Sequence, residues 1–157
     1  MKLLVIGLGS LNGDDQIGWE IVDELKKAIN DNLPITVYKS KGAGIDWFSS
    51  LADGDYQCIL FVDAILSTGK PGDIRKIDLD EIESALPLAS CSSHNISFYD
   101  SYQLARNLGM LKVPVKFIGV EIESANALSS MSSITQGSKS LLLDEIYKLS
   151  QSEDLLE

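Results

Sequence analysis

Two aspartates and the single histidine of the chain are the residues whose types best suit chemistry: Asp15, Asp63 and His94. Asp15 lies in a glycine-rich stretch, Gly7-Leu-Gly9-Ser-Leu-Asn-Gly13-Asp14-Asp15-Gln-Ile-Gly18. Asp63 follows the apolar run Cys58-Ile-Leu-Phe-Val, and His94 stands in the small, polar segment Ala89-Ser-Cys-Ser-Ser-His94-Asn. Two carboxylates and one imidazole form a hard-to-borderline donor set that suits a divalent transition metal, with positions left for water or substrate. An open site of that kind is what Lewis-acid chemistry requires. Each residue also has a bland reading. Asp15 would complement a helix dipole, Asp63 would cap a strand–loop junction, and a lone loop histidine is usually solvated. The joint reading therefore depends on whether the surrounding elements bring the three together.

Those elements alternate. Leu3 to Ile6 is a short apolar run closed by Gly7, the form of a strand covered on both faces. Ile17, Ile21, Leu25 and Ala28 then recur at helical spacing, with Asp14 placed as the expected N-cap. Ile35-Thr-Val-Tyr38 is β-branched and strand-like, and Ile45 to Leu51 reads as a short helix. Cys58 to Leu66 is the most apolar stretch, predicted as a central strand with Asp63 at its C-terminal end. Asp73 to Asp78 alternates weakly, as an edge strand or one arm of a hairpin does, and Glu81 to Leu86 is predicted as a brief helix stopped by Pro87. Ser101, Leu104, Ala105 and Leu108 share a helical face ending at Gly109, and Val115 to Val120 is a further strand. Ser124 to Ser133 is serine-rich and predicted as loop; Leu142, Ile146 and Leu149 space a terminal helix, and residues 151–157 form a flexible acidic tail. This order predicts a single α/β domain over residues 1–150, with a mostly parallel twisted sheet and helices on both faces. In such sheets ligands bind beyond the carboxyl ends of the strands, which is where Asp15 and Asp63 fall.

Composition narrows the classes. The 157 residues are 45% hydrophobic, enough for one substantial core and too few for two. Thirteen basic and twenty-three acidic residues give a net charge of −10, which opposes binding to nucleic acid or to an anionic membrane surface. No apolar run reaches spanning length, and Met1 to Gly9 lacks the features of a signal peptide. Two cysteines, Cys58 in an apolar run and Cys91 in a serine-rich loop, make no disulfide framework. The expectation is a cytoplasmic protein.

The motifs resemble those of a known family. The opening stretch is similar to the G-x-G-N-x-L-x-x-D-[DE]-x-x-G signature of the hydrogenase maturation proteases, endopeptidases that trim the C-terminus of the NiFe-hydrogenase large subunit. Phe61-Val-Asp63-Ala, Pro71-Gly-Asp-Ile-Arg, Ser92-Ser-His94 and Gly119-Val-Glu resemble the later landmarks in family order. The resemblance spans about residues 1 to 149. It implies a three-layer α/β/α sandwich and a metal site of carboxylate, aspartate and histidine, which match Asp15, Asp63 and His94. It also implies that the metal in action is nickel already loaded into the large-subunit precursor, so that the isolated protein need not hold a metal of its own. The expected reaction is metal-dependent removal of a C-terminal peptide. Ser10 stands where the family has Asn, Gln16 where it has a small residue, and Lys39-Ser-Lys-Gly-Ala-Gly44 where it has a segment opening with Asp. Two lysines in place of an acid alter the expected field near the cleft.

Three rivals remain in view. A dinucleotide-binding domain shares the strand, Gly-x-Gly turn and helix, but Asn12 occupies the third glycine position, and Lys39 with Lys41 suits only a phosphorylated ribose, as in NADP. Nucleophilic hydrolysis lacks a G-x-S-x-G elbow, and Cys91 reads as a loop cysteine. The third rival is a non-catalytic metal-sensing or precursor-binding relative on the same fold.

Overall fold

A computed structural model describes residues 1–29, 32–41, 44–52, 54–66, 69–79, 98–123 and 129–152. The helix expected at Glu81 to Leu86, the loop with Cys91 and His94, most of the acidic tail and half of the Ser124–Ser133 loop lie outside the described residues. Five strands form one sheet in the order β2-β1-β3-β5-β4: β1 (Leu3–Gly7), β2 (Ile35–Lys39), β3 (Cys58–Leu66), β4 (Ile74–Asp78) and β5 (Val115–Ile122). All neighbours pair in parallel except β4, which lies antiparallel on β5. Helices α1 (Ile17–Ala28), α2 (Phe98–Asn107) and α3 (Ser133–Gln151) and two 3-10 turns, Gly13–Gln16 and Asp46–Leu51, complete the described architecture.

The period-two geometry of the strands sorts their side chains into two cores. Leu3, Val5, Leu60, Val62, Ile118 and Val120 face one side and pack with Ile17, Ile21 and Leu25 of α1 and Leu142 and Ile146 of α3. Leu4, Ile6, Ile59, Phe61 and Phe117 face the other and pack with Trp47, Tyr102 and Ala105. That second core is aromatic: Trp47 meets Phe61 edge-on at 4.9 Å, and Phe98 lies 4.7 Å from Phe61 and 5.5 Å from Phe117. Each fully buried large side chain contributes about 1.5–3 kcal/mol by leaving water. Both faces of β1 and β3 are therefore covered, as their unbroken apolar runs require. Cys58 is buried in the first core, and burial pushes its thiol pKa up, which keeps it protonated.

Three sequence expectations shift. In α2 the inward residues are Ser101, Tyr102 and Ala105, while Leu104 is 43% and Leu108 62% exposed. The large ring of Tyr102 takes the core position, and the Ser101 hydroxyl is satisfied by donating to the Phe98 carbonyl at 2.8 Å. The terminal helix begins far earlier than its leucine spacing suggests, because the first half of α3 buries Thr135 and Ser138 instead of large apolar groups. Ser138 donates its hydroxyl to the Gly72 carbonyl at 2.8 Å, so that face is anchored by hydrogen bonds. Gln151 belongs to α3, not to the tail. No helix among the described residues is long and apolar enough to cross a membrane.

Candidate active site

The site is built where α1 touches the sheet. Its first turn approaches β1 and β3 so closely that a side-chain carbon at Gly18 would lie 2.0 Å from the Leu8 carbonyl oxygen and 2.5 Å from that of Val62. One at Gly7 would lie 2.2 Å from the Gly18 carbonyl oxygen. Two glycines thus let helix and strands meet backbone to backbone. Asp15 stands three residues before Gly18, and Asp63 one residue after Val62. The register sharpens this: β1 pairs with β3 only as far as Gly7 opposite Val62, after which the Leu8 N–H bonds the Val62 carbonyl at 2.9 Å. Asp63 is the first residue of β3 beyond that pairing, opposite Gly119 on β5. It is not the strand's end, since β3 runs three residues further to Leu66.

Asp15 is buried, 8% exposed, within the 3-10 turn. The Ser10 hydroxyl donates to its Oδ2 at 2.5 Å, and its backbone N–H bonds the Asn12 carbonyl at 3.0 Å. Asp63 is partly buried, and its Oδ1 accepts from the Ala64 N–H at 2.7 Å. Burial, and next the negative charge of Asp15, push the Asp63 carboxyl well above the usual carboxylate range, against the opposing pull of the Ala64 N–H. The charge of Asp15 is therefore felt at Asp63. His94 and Cys91 lie outside the described residues, and among the described residues no three ligating side chains form a cluster.

Asp14 does not cap α1. The 3-10 turn runs directly into the helix, so Asp14 sits inside a helical run, and neither Asn12 nor Gln16 at the two starts makes a side-chain cap bond. Instead its carboxylate reaches α3: Oδ1 accepts from the Ser132 N–H at 2.6 Å and Oδ2 from the Ser132 hydroxyl at 2.9 Å. Ser132 is itself the N-cap of α3, accepting from the Thr135 N–H at 3.3 Å. Gln16 reinforces the contact by donating to the Ser129 carbonyl at 2.9 Å. Along this outer side Gly13, Asp14, Pro71, Glu123, Ser129 and Ser132 line a cleft of about 140 Å³.

Lys39 is also accounted for locally. Its ammonium pairs with Asp23 of α1 at 2.7 Å and lies 5.8 Å from the centre of the Trp19 ring. Its charge is thus met by α1.

A family model described as "HycI: Hydrogenase maturation protease" matches residues 19–148. The chain belongs to the hydrogenase maturation protease family. A protein of Methanocaldococcus jannaschii assigned to the same family is 34% identical over 122 residues, 76% of this chain and 77% of that one. Two solved structures share the fold. The NiFe hydrogenase maturation protease HybD from Thermococcus kodakarensis has a TM-score of 0.75 at 24% identity, covering 96% of this chain and all of that one. The endopeptidase HycI from Escherichia coli has a TM-score of 0.74 at 19% identity, covering 99% and 95%.

As a hydrogenase maturation protease the chain is of an endopeptidase family, and its expected α/β fold, with a mostly parallel sheet between helices, is the one observed. The match starts at Trp19, so the turn with Asp15 lies outside it. Sequence reasoning missed three contributors in this hydrogenase maturation protease: Ser10 as partner of Asp15, Gly18 as the point of contact, and Ser132 as the far end of Asp14. Gly18 was legible in the motif, but its role was not. Glu121 of the Gly119-Val-Glu landmark is buried, 5% exposed, pairs with Arg75 at 3.3 Å and packs on the Gly69 backbone.

Proposed function

We propose that this hydrogenase maturation protease is a metal-dependent endopeptidase that removes a C-terminal peptide from the nickel-loaded large-subunit precursor of a NiFe-hydrogenase. The process is cytoplasmic, and Asp15, Asp63 and His94 are the residues that meet the metal. The observation that supports this reading is the Asp15–Asp63 pair, two carboxylates at the point where β1 leaves β3, with burial and the charge of Asp15 holding the Asp63 carboxyl above its usual range. A divalent cation held by this pair would favour the ionised form of its ligands. The donor chemistry thus fits a hard or borderline cation, and the nickel arrives as part of the substrate.

In this reading nickel supplies a Lewis acid that polarises an oxygen of the scissile peptide or of the attacking water. The chain does the rest. Asp15 and Asp63 would hold the cation through their carboxylates, and the Ala64 N–H keeps the Asp63 Oδ1 in place. His94 adds the imidazole donor.

The deciding experiment incubates the protein with nickel-loaded and nickel-free precursor and follows the large subunit by mass spectrometry. Loss of a C-terminal peptide from the loaded form alone is expected. Cleavage of both forms would remove the nickel requirement, and tight binding without cleavage would favour the non-catalytic relative. His94→Ala is expected to abolish processing; undiminished cleavage would take His94 out of the site.

A further inference from the structure

Ser10 makes the shortest described contact to Asp15. Three bonds define its place. The Ser10 N–H bonds the Asp15 carbonyl at 3.3 Å, the Asn12 N–H bonds the Ser10 hydroxyl oxygen at 3.2 Å, and that hydroxyl donates to the Asp15 Oδ2 at 2.5 Å. A serine hydroxyl carries one proton. Since the Asn12 N–H is itself a donor, it must use a lone pair of the oxygen, and the hydroxyl proton is left for Asp15. The hydroxyl thus donates to Oδ2 of the carboxylate. An O–H···O⁻ bond of this length is in the charge-assisted range.

The bond also sets orientation. Asp15 is buried with its backbone carbonyl and its Oδ2 both tied to one residue, so its carboxylate plane is fixed relative to the turn. Groups that hold a ligand from behind set its orientation and basicity, and their loss commonly costs about 10–100-fold in metal affinity or activity.

We infer that Ser10 is a positioning residue, orienting the Asp15 carboxylate toward Asp63 and toward the cation the two share. An amide at position 10 can donate the same bond. This inference rests on the proposed role of Asp15.

The test uses the full chain with Ser10→Ala, Ser10→Asn and Asp15→Asn, reading two quantities: the affinity for Ni²⁺ alone by titration calorimetry, and kcat and KM for cleavage of the nickel-loaded precursor. Ser10→Ala is expected to lower kcat and Ni²⁺ affinity by about 10-fold or more, with KM within about twofold, and Ser10→Asn to restore most of both. Thermal melts check that the variants fold. If Ser10→Ala matches the parent protein while Asp15→Asn loses cleavage, the positioning role falls and the site stands. If Asp15→Asn leaves both quantities unchanged, the reading of the site falls and takes this inference with it. A loss in Ser10→Ala that Ser10→Asn fails to restore would overturn the claim that an amide donor is equivalent.

Discussion

Asp14 and Asp15 are adjacent in one turn and do opposite things. Asp14 faces outward, and one serine of α3 uses both its oxygens. Asp15 faces inward, is nearly excluded from solvent, takes a short bond from Ser10, and its charge is felt at Asp63. The outer carboxylate ties two elements together across 118 positions of sequence, whereas the inner one brings a buried carboxylate to the point where β1 leaves β3. The difference teaches that two like residues acquire different roles from the groups they meet, and that a 3-10 turn makes this possible by pointing successive side chains about 120° apart.

Substitution of each carboxylate in turn breaks the comparison most sharply. Asp15→Asn is expected to lower precursor cleavage by on the order of 10³-fold or more, while Asp14→Asn keeps cleavage within about tenfold, both followed by mass spectrometry of the processed subunit. Equal losses would mean that the turn acts as one catalytic unit. Next in size is Gly18→Ala. A methyl 2.0 Å from the Leu8 carbonyl cannot be absorbed by a side-chain rotation, so α1 must shift, at a cost of about 1–3 kcal/mol in urea denaturation. The outer side is tested by Asp14→Ala and Ser132→Ala, each expected to cost about 1–2 kcal/mol. Because they remove the same contact, the double variant should cost little more than either alone; full additivity would show that the two residues do not act together.

The smallest effect is electrostatic and separates the inner pair from ordinary carboxylates. A carboxyl whose pKa is raised by folding is protonated more readily in the native than in the unfolded chain. Ionising Asp63 therefore costs stability as pH rises from its unfolded value, about 3.9, through its raised folded value, and that cost is absent below about 3.9. Asp63→Asn should accordingly raise the melting temperature of the metal-free protein at neutral pH, with the gain shrinking as pH falls toward 4, even though cleavage is lost. A gain independent of pH would point to packing in place of charge.

Much of the molecule was readable from its residues. The five strands, the first helix and the mostly parallel sheet follow from apolar runs of strand length alternating with helical spacing, because burial on both faces demands such runs. The start of α3 was not readable, since its buried face uses Thr135 and Ser138, and hydroxyls that bond carbonyls leave no hydrophobic period. The rotation of α2 was hidden for a related reason. Tyr102 competes with Leu104 and Leu108 for the core, and only the position of Phe98 and Phe117 decides between them.

At the site, residue types and order alone determined that a glycine-rich turn delivers paired carboxylates toward a third aspartate on a central strand. That much is chemistry and chain connectivity, which a single sequence carries. Tertiary structure decided which of the two adjacent aspartates turns inward, that Ser10 holds it, and that Asp63 stands where β1 stops pairing with β3. These facts depend on contacts between distant segments: Gly18 against Leu8 and Val62, and Asp14 against Ser132. No local pattern encodes such contacts, because burial and charge at a residue are set by whatever else folds against it.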